Sequence, residues 1–279
     1  MRKRWMAMLA VTLSVVTLFT ACGTKSTGGS DSADGEEVFR VGMECTYAPF
    51  NWTQLDSSNG GVAIDGVSEF AGGYDVEIAK KIADGLGKKL VIVKTDWDGL
   101  LPALTSGKID AIIAGMSPIA ERKEVIDFTD NYYKSNLVMV VKKGSAYENA
   151  TSIKDFSGAK VTAQLGTFHY NVIDQIEGVK KETAMDNFPS MRVALESGII
   201  DGYVSERPEG VSASSANENF VMVEFTDGFV TSDDDTAIAV GVKKGSDLTT
   251  KINEILSGIS EEDRTSIMDN AIKNQPAAN

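Results

Sequence analysis

Two hydrophobic periods divide the chain and predict most of its elements. Between Tyr74 and Leu86 the apolar residues Ile78, Ala79, Ile82, Ala83 and Leu86 form one helical stripe, closed by Gly87. Strands are predicted on either side, from Val38 to Gly42, where polarity alternates, and from Lys89 to Lys94, rich in valine and isoleucine. A helix over Trp97–Ser106 then stops at Gly107, and Asp110 to Ala114 reads as another buried strand. Strand–helix–strand–helix–strand at this spacing predicts a parallel sheet, with ligands at the carboxyl ends of its strands.

The end of this unit is repeated. Ala103-Leu-Thr-Ser-Gly-Lys-Ile-Asp110 leads through a buried strand to Gly115, and 91 residues later Ala194-Leu-Glu-Ser-Gly-Ile-Ile-Asp201 leads to Glu206. Each copy reads as a helix end, a glycine stop, a strand and a polar corner, so two similar lobes are expected to face one ligand. In the first corner, Gly115-Met116-Ser117-Pro118, a helix is expected to open with Ser117 as N-cap and Pro118 at its first position. Such a terminus favours an anion, and Arg122, one turn on, can add a bidentate grip on a carboxylate. A surface ion pair with Glu121 or Asp127 is the alternative.

In the second half a strand from Lys160 to Ala163 runs into Gln164-Leu165-Gly166-Thr167-Phe168 and a helix to about Ile176. Thr167 is expected to cap that helix and touch an anion together. His169, inside it, reads as a core or surface histidine rather than a ligand. Glu206 ends a buried strand, where an unpaired carboxylate is costly, so a cationic partner is expected, either a ligand or Arg207. The loop Met43–Trp52 leaves the first strand carrying Glu44, Tyr47, Phe50 and Trp52, aromatics that suit either the core or a platform for a ligand's apolar or cationic part. Asp56 to Gly73 reads as a surface hairpin.

Leu137–Lys142 and Thr236–Lys243 are read as strands, and Leu248–Leu256 and Glu261–Lys273 as helices, the second opened by Ser260 with Asp263. Crossings near 132–136 and 231–236 form a two-strand hinge, giving lobe one as 38–133 plus 235–279 and lobe two as 134–234.

Charge and rare residues narrow the function. A net charge of −13 without a compensating basic block argues against a nucleic-acid partner. One histidine and two cysteines exclude a Cys/His zinc centre and argue against a Ser-His-Asp triad, so neither metal nor cofactor is expected. At the start of the chain, Arg2-Lys-Arg4 precedes an apolar run from Trp5 to Phe19, too short to span a bilayer. Phe19-Thr20-Ala21-Cys22-Gly23 resembles a bacterial lipobox, which implies a leader over 1–21 and lipidation at Cys22. Gly23 to Glu37, rich in Gly, Ser, Thr and Asp, then makes 22–37 a flexible tether, reaching about 50 Å when extended. Cys45 is left as a small buried thiol.

The stretch Gly73-Tyr-Asp-Val-Glu-Ile78-Ala-Lys-Lys-Ile-Ala-Asp-Gly-Leu86 resembles the signature of the family 3 bacterial solute-binding proteins at every position. Pro102 to Ser117, Glu121-Arg122 and Asp127 to Tyr132 are similar to its further landmarks. The resemblance runs from about Val38 to Ile259. It implies a two-lobed α/β clamp of the type II periplasmic-binding-protein kind, each lobe a mostly parallel sheet flanked by helices. It also implies an extracytoplasmic, lipid-anchored monomer on the cell membrane that binds a polar or cationic α-amino acid by hinge closure. The partners would be the permease and ATPase subunits of an ATP-binding-cassette importer. In the family the position of Glu206 is usually Asp and pairs with the ligand's α-ammonium, and Gln164–Phe168 resembles a second carboxylate-binding corner. Where the family usually has Thr, two residues after Ser117, stands Ile119. Glu44, the aromatics and Asp233-Asp234-Asp235 suggest a cationic side chain. A dehydratase on the same fold, or a sensor or adhesin, is the alternative.

Overall fold

A computed structural model of the chain describes residues 37–276. The expected leader, the lipidation site Cys22 and the tether up to residue 36 lie outside the described residues.

Two five-stranded sheets carry the lobes. The first has the order Lys89–Lys94, Val38–Met43, Ala111–Ile112, Ala237–Lys243, Ile126–Lys134. The second has the order Lys180–Lys181, Lys160–Thr162, Gly202–Glu206, Leu137–Lys142, Phe220–Val223. In each sheet one strand runs against the other four: Ala237–Lys243 in the first and Leu137–Lys142 in the second. Both are the strands that the chain forms directly after crossing between lobes. The sheets are therefore mostly parallel, and each antiparallel strand marks a crossing.

The helices follow the sequence periodicity. Tyr74–Leu86 and Trp97–Ser106 end as expected on left-handed Gly87 and Gly107. Glu261–Asn274 opens on Ser260, whose hydroxyl accepts from the Asp263 N–H. Asp56 to Gly73 does more than make a surface hairpin. Its strands Val62–Ala63 and Phe70–Gly72 join Thr46–Tyr47 and Asn51–Gln54 in a small antiparallel sheet.

The internal repeat has a structural cause. Arg40 N–H donates to Asp110 Oδ2 and Lys160 N–H donates to Asp201 Oδ2, both at 2.8 Å. In return, Asp110 N–H donates to Arg40 O and Asp201 N–H to Lys160 O, again both at 2.8 Å. Each aspartate thus stitches its strand to the preceding parallel strand, with the glycine stop just before it. Asp110→Ala is expected to lower the melting temperature by about 2–4 °C, the shift that a loss of about 1 kcal/mol gives in a domain of this size. Unchanged thermal melting would show that the carboxylate does not hold the strands.

The crossings lie side by side. Ser135 N–H donates to Thr236 O at 2.9 Å, and Lys134 pairs with Asp233 at 2.6 Å. Asp234 pairs with Lys123 at 2.6 Å, and the Asp235 carboxylate accepts from the Ser232 N–H at 2.7 Å. The acidic run is therefore occupied at the hinge rather than offered to a ligand. Among the described residues no helix is long and apolar enough to cross a membrane.

Candidate functional site

The lobe-one corner begins at Gly115, whose φ of +62° and close neighbour both demand glycine. A Cβ there would stand 2.5 Å from Tyr47 Cε1. The corner is braced from behind. Gly115 N–H donates to the Tyr132 hydroxyl at 3.2 Å, which donates to Asp75 Oδ1 at 2.7 Å. Asn51 Nδ2 donates to Asp75 Oδ2 at 2.8 Å, while Asn51 Oδ1 accepts from the Cys45 N–H at 2.7 Å. Burial pushes Asp75 up to about 7. The fully buried carboxyl thus ties the aromatic loop to the corner, and this explains a signature residue to which sequence reasoning gave no role.

Arg122 is buried, and no carboxylate among the described residues lies within ion-pair distance of it. Its Nη1 donates to Ser117 O at 2.9 Å and its Nη2 to Gly166 O, across the cleft, at 3.1 Å. Its guanidinium carbon lies 5.0 Å from the centroid of the Trp97 ring. Burial pulls the guanidinium down to about 10, with Glu121 opposing. The surface ion pair considered from sequence does not form, since Asp127 instead receives the Gly245 N–H and the Lys244 ammonium. A desolvated cation held by two carbonyls and an indole face has its strongest potential partner, a carboxylate, still to gain.

The expected helix cap at Ser117 is not formed. The helix runs from Ala120 to Lys123, and the Ser117 hydroxyl donates instead to Asp235 O at 3.0 Å, binding the corner to the returning crossing. Met116 is wholly buried, and its carbonyl accepts from the Ala239 N–H. Thr167 makes no side-chain cap either, and its hydroxyl donates to Gln164 O at 2.7 Å. A single hydroxyl proton committed there cannot also be given to an anion.

Lobe two contributes Glu206, whose partner is not Arg207. That arginine pairs with Glu224 at 2.8 Å on the surface. Glu206 Oε1 lies 3.3 Å from His169 Nε2, both groups being buried. The approach is not a formed hydrogen bond: His169 Nε2 and Glu206 Oε2 are buried without a hydrogen-bond partner among the described residues. The Tyr47 hydroxyl and Ser205 Oγ are in the same condition. Burial, followed by the carboxylates of Glu206, Glu209, Asp75 and Glu44, pushes the Tyr47 hydroxyl well up. A negative region with unpartnered polar atoms thus surrounds Tyr47, while Arg122 supplies the cation of lobe one.

Other contacts cross the same seam between the lobes. Besides the Arg122–Gly166 bond, Gln164 Nε2 donates to Glu44 Oε1 at 2.9 Å and Trp97 Nε1 to Gly166 O at 3.4 Å. The Tyr47 and Phe188 rings stack with centroids 4.4 Å apart and planes 8° apart. Burial pushes Glu44 up to about 8, the Gln164 bond opposing and Asp96 and Asp98 adding to it.

Of the residues expected at the site, Glu44, Tyr47, Gly115, Arg122, Gln164 and Glu206 line or brace the seam between lobes. Phe168 stacks on His169 with centroids 4.2 Å apart. Phe50 is core, edge-on to Tyr74 and Tyr133. Trp52 is not brought to the seam. Its Nε1 donates to Gln54 Oε1, and its ring lines a small cavity with Ile267 and Ala271 of the C-terminal helix. The aromatics missed from sequence are Trp97 and Phe188, and the missed polar residue is His169. Only the position of Trp97, at the start of a helix following a strand's carboxyl end, carried a usable signal.

Comparisons with known proteins give the family and the fold. The family model "Bacterial extracellular solute-binding proteins, family 3" matches residues 39–271. The arginine-binding extracellular protein ArtP of Bacillus subtilis is 33% identical over 165 residues, covering 59% of this chain and 57% of that protein. The match thus spans less than two thirds of that relative's length. An amino acid ABC transporter substrate-binding protein, AbpA, from Streptococcus pneumoniae, solved bound to L-arginine, superposes with a TM-score of 0.71 at 26% identity, over 84% of this chain and 94% of that one. An ancestral arginine-binding protein solved bound to glutamine has a TM-score of 0.69 at 31% identity, over 83% and 96%.

Proposed function

The chain belongs to the bacterial extracellular solute-binding proteins, family 3, and from that premise we propose that it is the amino-acid-binding subunit of an ATP-binding-cassette importer. It acts outside the cytoplasm, anchored through lipid on Cys22, and delivers its ligand to a permease driven by an ATPase. The family's work is binding, so no catalytic residue is assigned. The observation that carries the reading is the opposition of two buried, incompletely paired charges across one seam, Arg122 from lobe one and Glu206 from lobe two. A zwitterion satisfies both. Arg122 takes the α-carboxylate, Glu206 the α-ammonium, and Tyr47, Trp97 and Phe188 flank the ligand. Closure of the lobes completes the site, as in other hinged binding proteins.

The ligand side chain faces Glu44, and a cationic one suits it best. Calorimetry and thermal shift against the twenty amino acids test the class. Binding of none of them would reject it.

Glu44 also makes selectivity depend on pH. Opening the cleft breaks the Gln164 bond and returns this carboxyl toward its ordinary 4.5, whereas closure on a neutral side chain holds it near 8. Closure on a neutral ligand therefore takes up a proton between those values, and affinity for such a ligand falls as pH rises. A guanidinium beside Glu44 keeps the carboxylate ionised and removes that dependence. The ratio of glutamine to arginine dissociation constants is expected to fall at least tenfold from pH 8 to pH 6. In Glu44→Gln it should stay constant, and a wild-type ratio that does not move with pH would sink the assignment.

A further inference from the structure

The histidine that the sequence placed inside a helix stands against the one carboxylate that the amino-acid reading requires. His169 Nε2 and Glu206 Oε1 are 3.3 Å apart, their side chains 8% and 5% exposed, and the second carboxylate oxygen has no hydrogen-bond partner among the described residues. Both residues belong to lobe two, so the pair persists whether the cleft is open or closed. We infer that His169 is an internal competitor for the ligand-ammonium site. When protonated it pairs with Glu206 and neutralises it, and a bound α-ammonium displaces that proton to solvent. The inference rests on the reading that Glu206 receives the ligand's ammonium.

The surroundings leave His169 alone in this role. Arg122, beside the loop that precedes its helix, is held by the carbonyls of Ser117 and Gly166. Arg207, adjacent to Glu206, turns to Glu224, and Arg192 is bound to Glu209 at 2.7 Å. From lobe one Tyr47, Tyr133 and Asp75 feel the Glu206 charge, and none of them brings a cation. Glu44 meets Gln164 further along the seam, and Glu209 lies in the next helical turn after Glu206. Among the described residues His169 is thus the only group able to carry positive charge within 4 Å of Glu206. Histidine is also the residue type that gains its charge between about pH 8 and 5. The Phe168 ring lies against it, tilted by 32° with centroids 4.2 Å apart, and the imidazole is buried.

Ligand affinity is then weakened by acid, because each bound ligand must expel a proton. The test is the dissociation constant of L-arginine from pH 8 to pH 5 for wild type and His169→Gln, which keeps a polar side chain without titrating. Any contribution of Glu44 is common to both proteins and cancels in their ratio. The two should agree within about threefold at pH 8, and wild type should weaken at least tenfold relative to the variant by pH 5. At pH 6, calorimetry in buffers of differing ionisation heat should show more protons released from wild type than from the variant. A ratio that stays constant with pH, with equal proton release, overturns the inference while leaving the Glu206 reading intact. Failure of wild type to bind any amino acid at pH 8 removes both. His169→Asn gives a second, smaller variant should the first fold poorly, and circular dichroism melting establishes which is folded.

Discussion

Arg122→Ala is expected to weaken binding of L-arginine by about 30-fold or more, the equivalent of about 2–5 kcal/mol for truncating one partner of a buried, hydrogen-bonded charge pair. The side chain has already been taken out of water, and burial, against the opposing Glu121 charge, pulls its guanidinium down to about 10. Its present partners are two backbone carbonyls and an indole face. A ligand carboxylate turns that half-satisfied cation into a paired one, and alanine leaves the carboxylate to be buried without it. Arg122→Lys keeps the charge and loses the planar fork, so an intermediate loss of about tenfold is expected. Decarboxylated arginine separates this contact from any general loosening of the hinge. It should bind wild type much more weakly than arginine does, and it should bind Arg122→Ala about as well as arginine does. Wild-type affinity for arginine in Arg122→Ala, by calorimetry on a folded sample, would reject the carboxylate assignment.

What the sequence made legible was whatever depends on neighbours in the chain. The Tyr74–Leu86 stripe, the glycine stops at Gly87 and Gly107, and the repeat around Asp110 and Asp201 all rest on spacing within about a dozen residues. The two charges were reachable because Glu206 ends one repeated strand and Arg122 lies in the short helix just after the other. Most of the failures depend instead on residues distant in the chain. Ser117 and Thr167 looked like helix caps by local rules, yet their hydroxyls serve carbonyls set by tertiary position or loop geometry. For Ser117 the winning acceptor is 118 residues away, on the returning crossing. Trp52 and Trp97 were exchanged for a similar reason. Trp52 ends the loop predicted to leave the first strand, but pairing of Asn51–Gln54 with Phe70–Gly72 turns it toward the C-terminal helix. Trp97 opens a helix after a strand's carboxyl end, a usable local signal, but its contact with Gly166 of the second lobe is set by tertiary position. His169 had no signal at all, because its meaning comes from Glu206, 37 residues on.

Glu206→Ala should match the Arg122 loss, at about 30-fold or more for L-arginine at pH 8, because it leaves the ligand's ammonium buried without its counter-charge. The size of the effect follows from what surrounds the carboxylate. Its second oxygen has no hydrogen-bond partner among the described residues, and its nearest charge-bearing neighbour approaches without hydrogen-bond geometry. Glu206 is therefore an incompletely used anion rather than half of a structural salt bridge. Arg192–Glu209 in the same lobe makes the contrast: Glu209 Oε2 is likewise without a hydrogen-bond partner among the described residues, but Arg192 Nε and Nη2 both donate to Oε1, which also accepts from Tyr203. Removing Glu206 should consequently cost binding while leaving the melting temperature of the ligand-free protein within a few degrees or raising it, since a poorly compensated buried charge is relieved. An arginine analogue lacking the α-amino group completes the argument. It should bind wild type at least 30-fold more weakly than arginine, and Glu206→Ala should bind the two alike. If Glu206→Ala still prefers arginine over that analogue by the wild-type factor, the ammonium is recognised elsewhere. Then the opposition of Arg122 and Glu206 across the seam would be a feature of lobe closure alone.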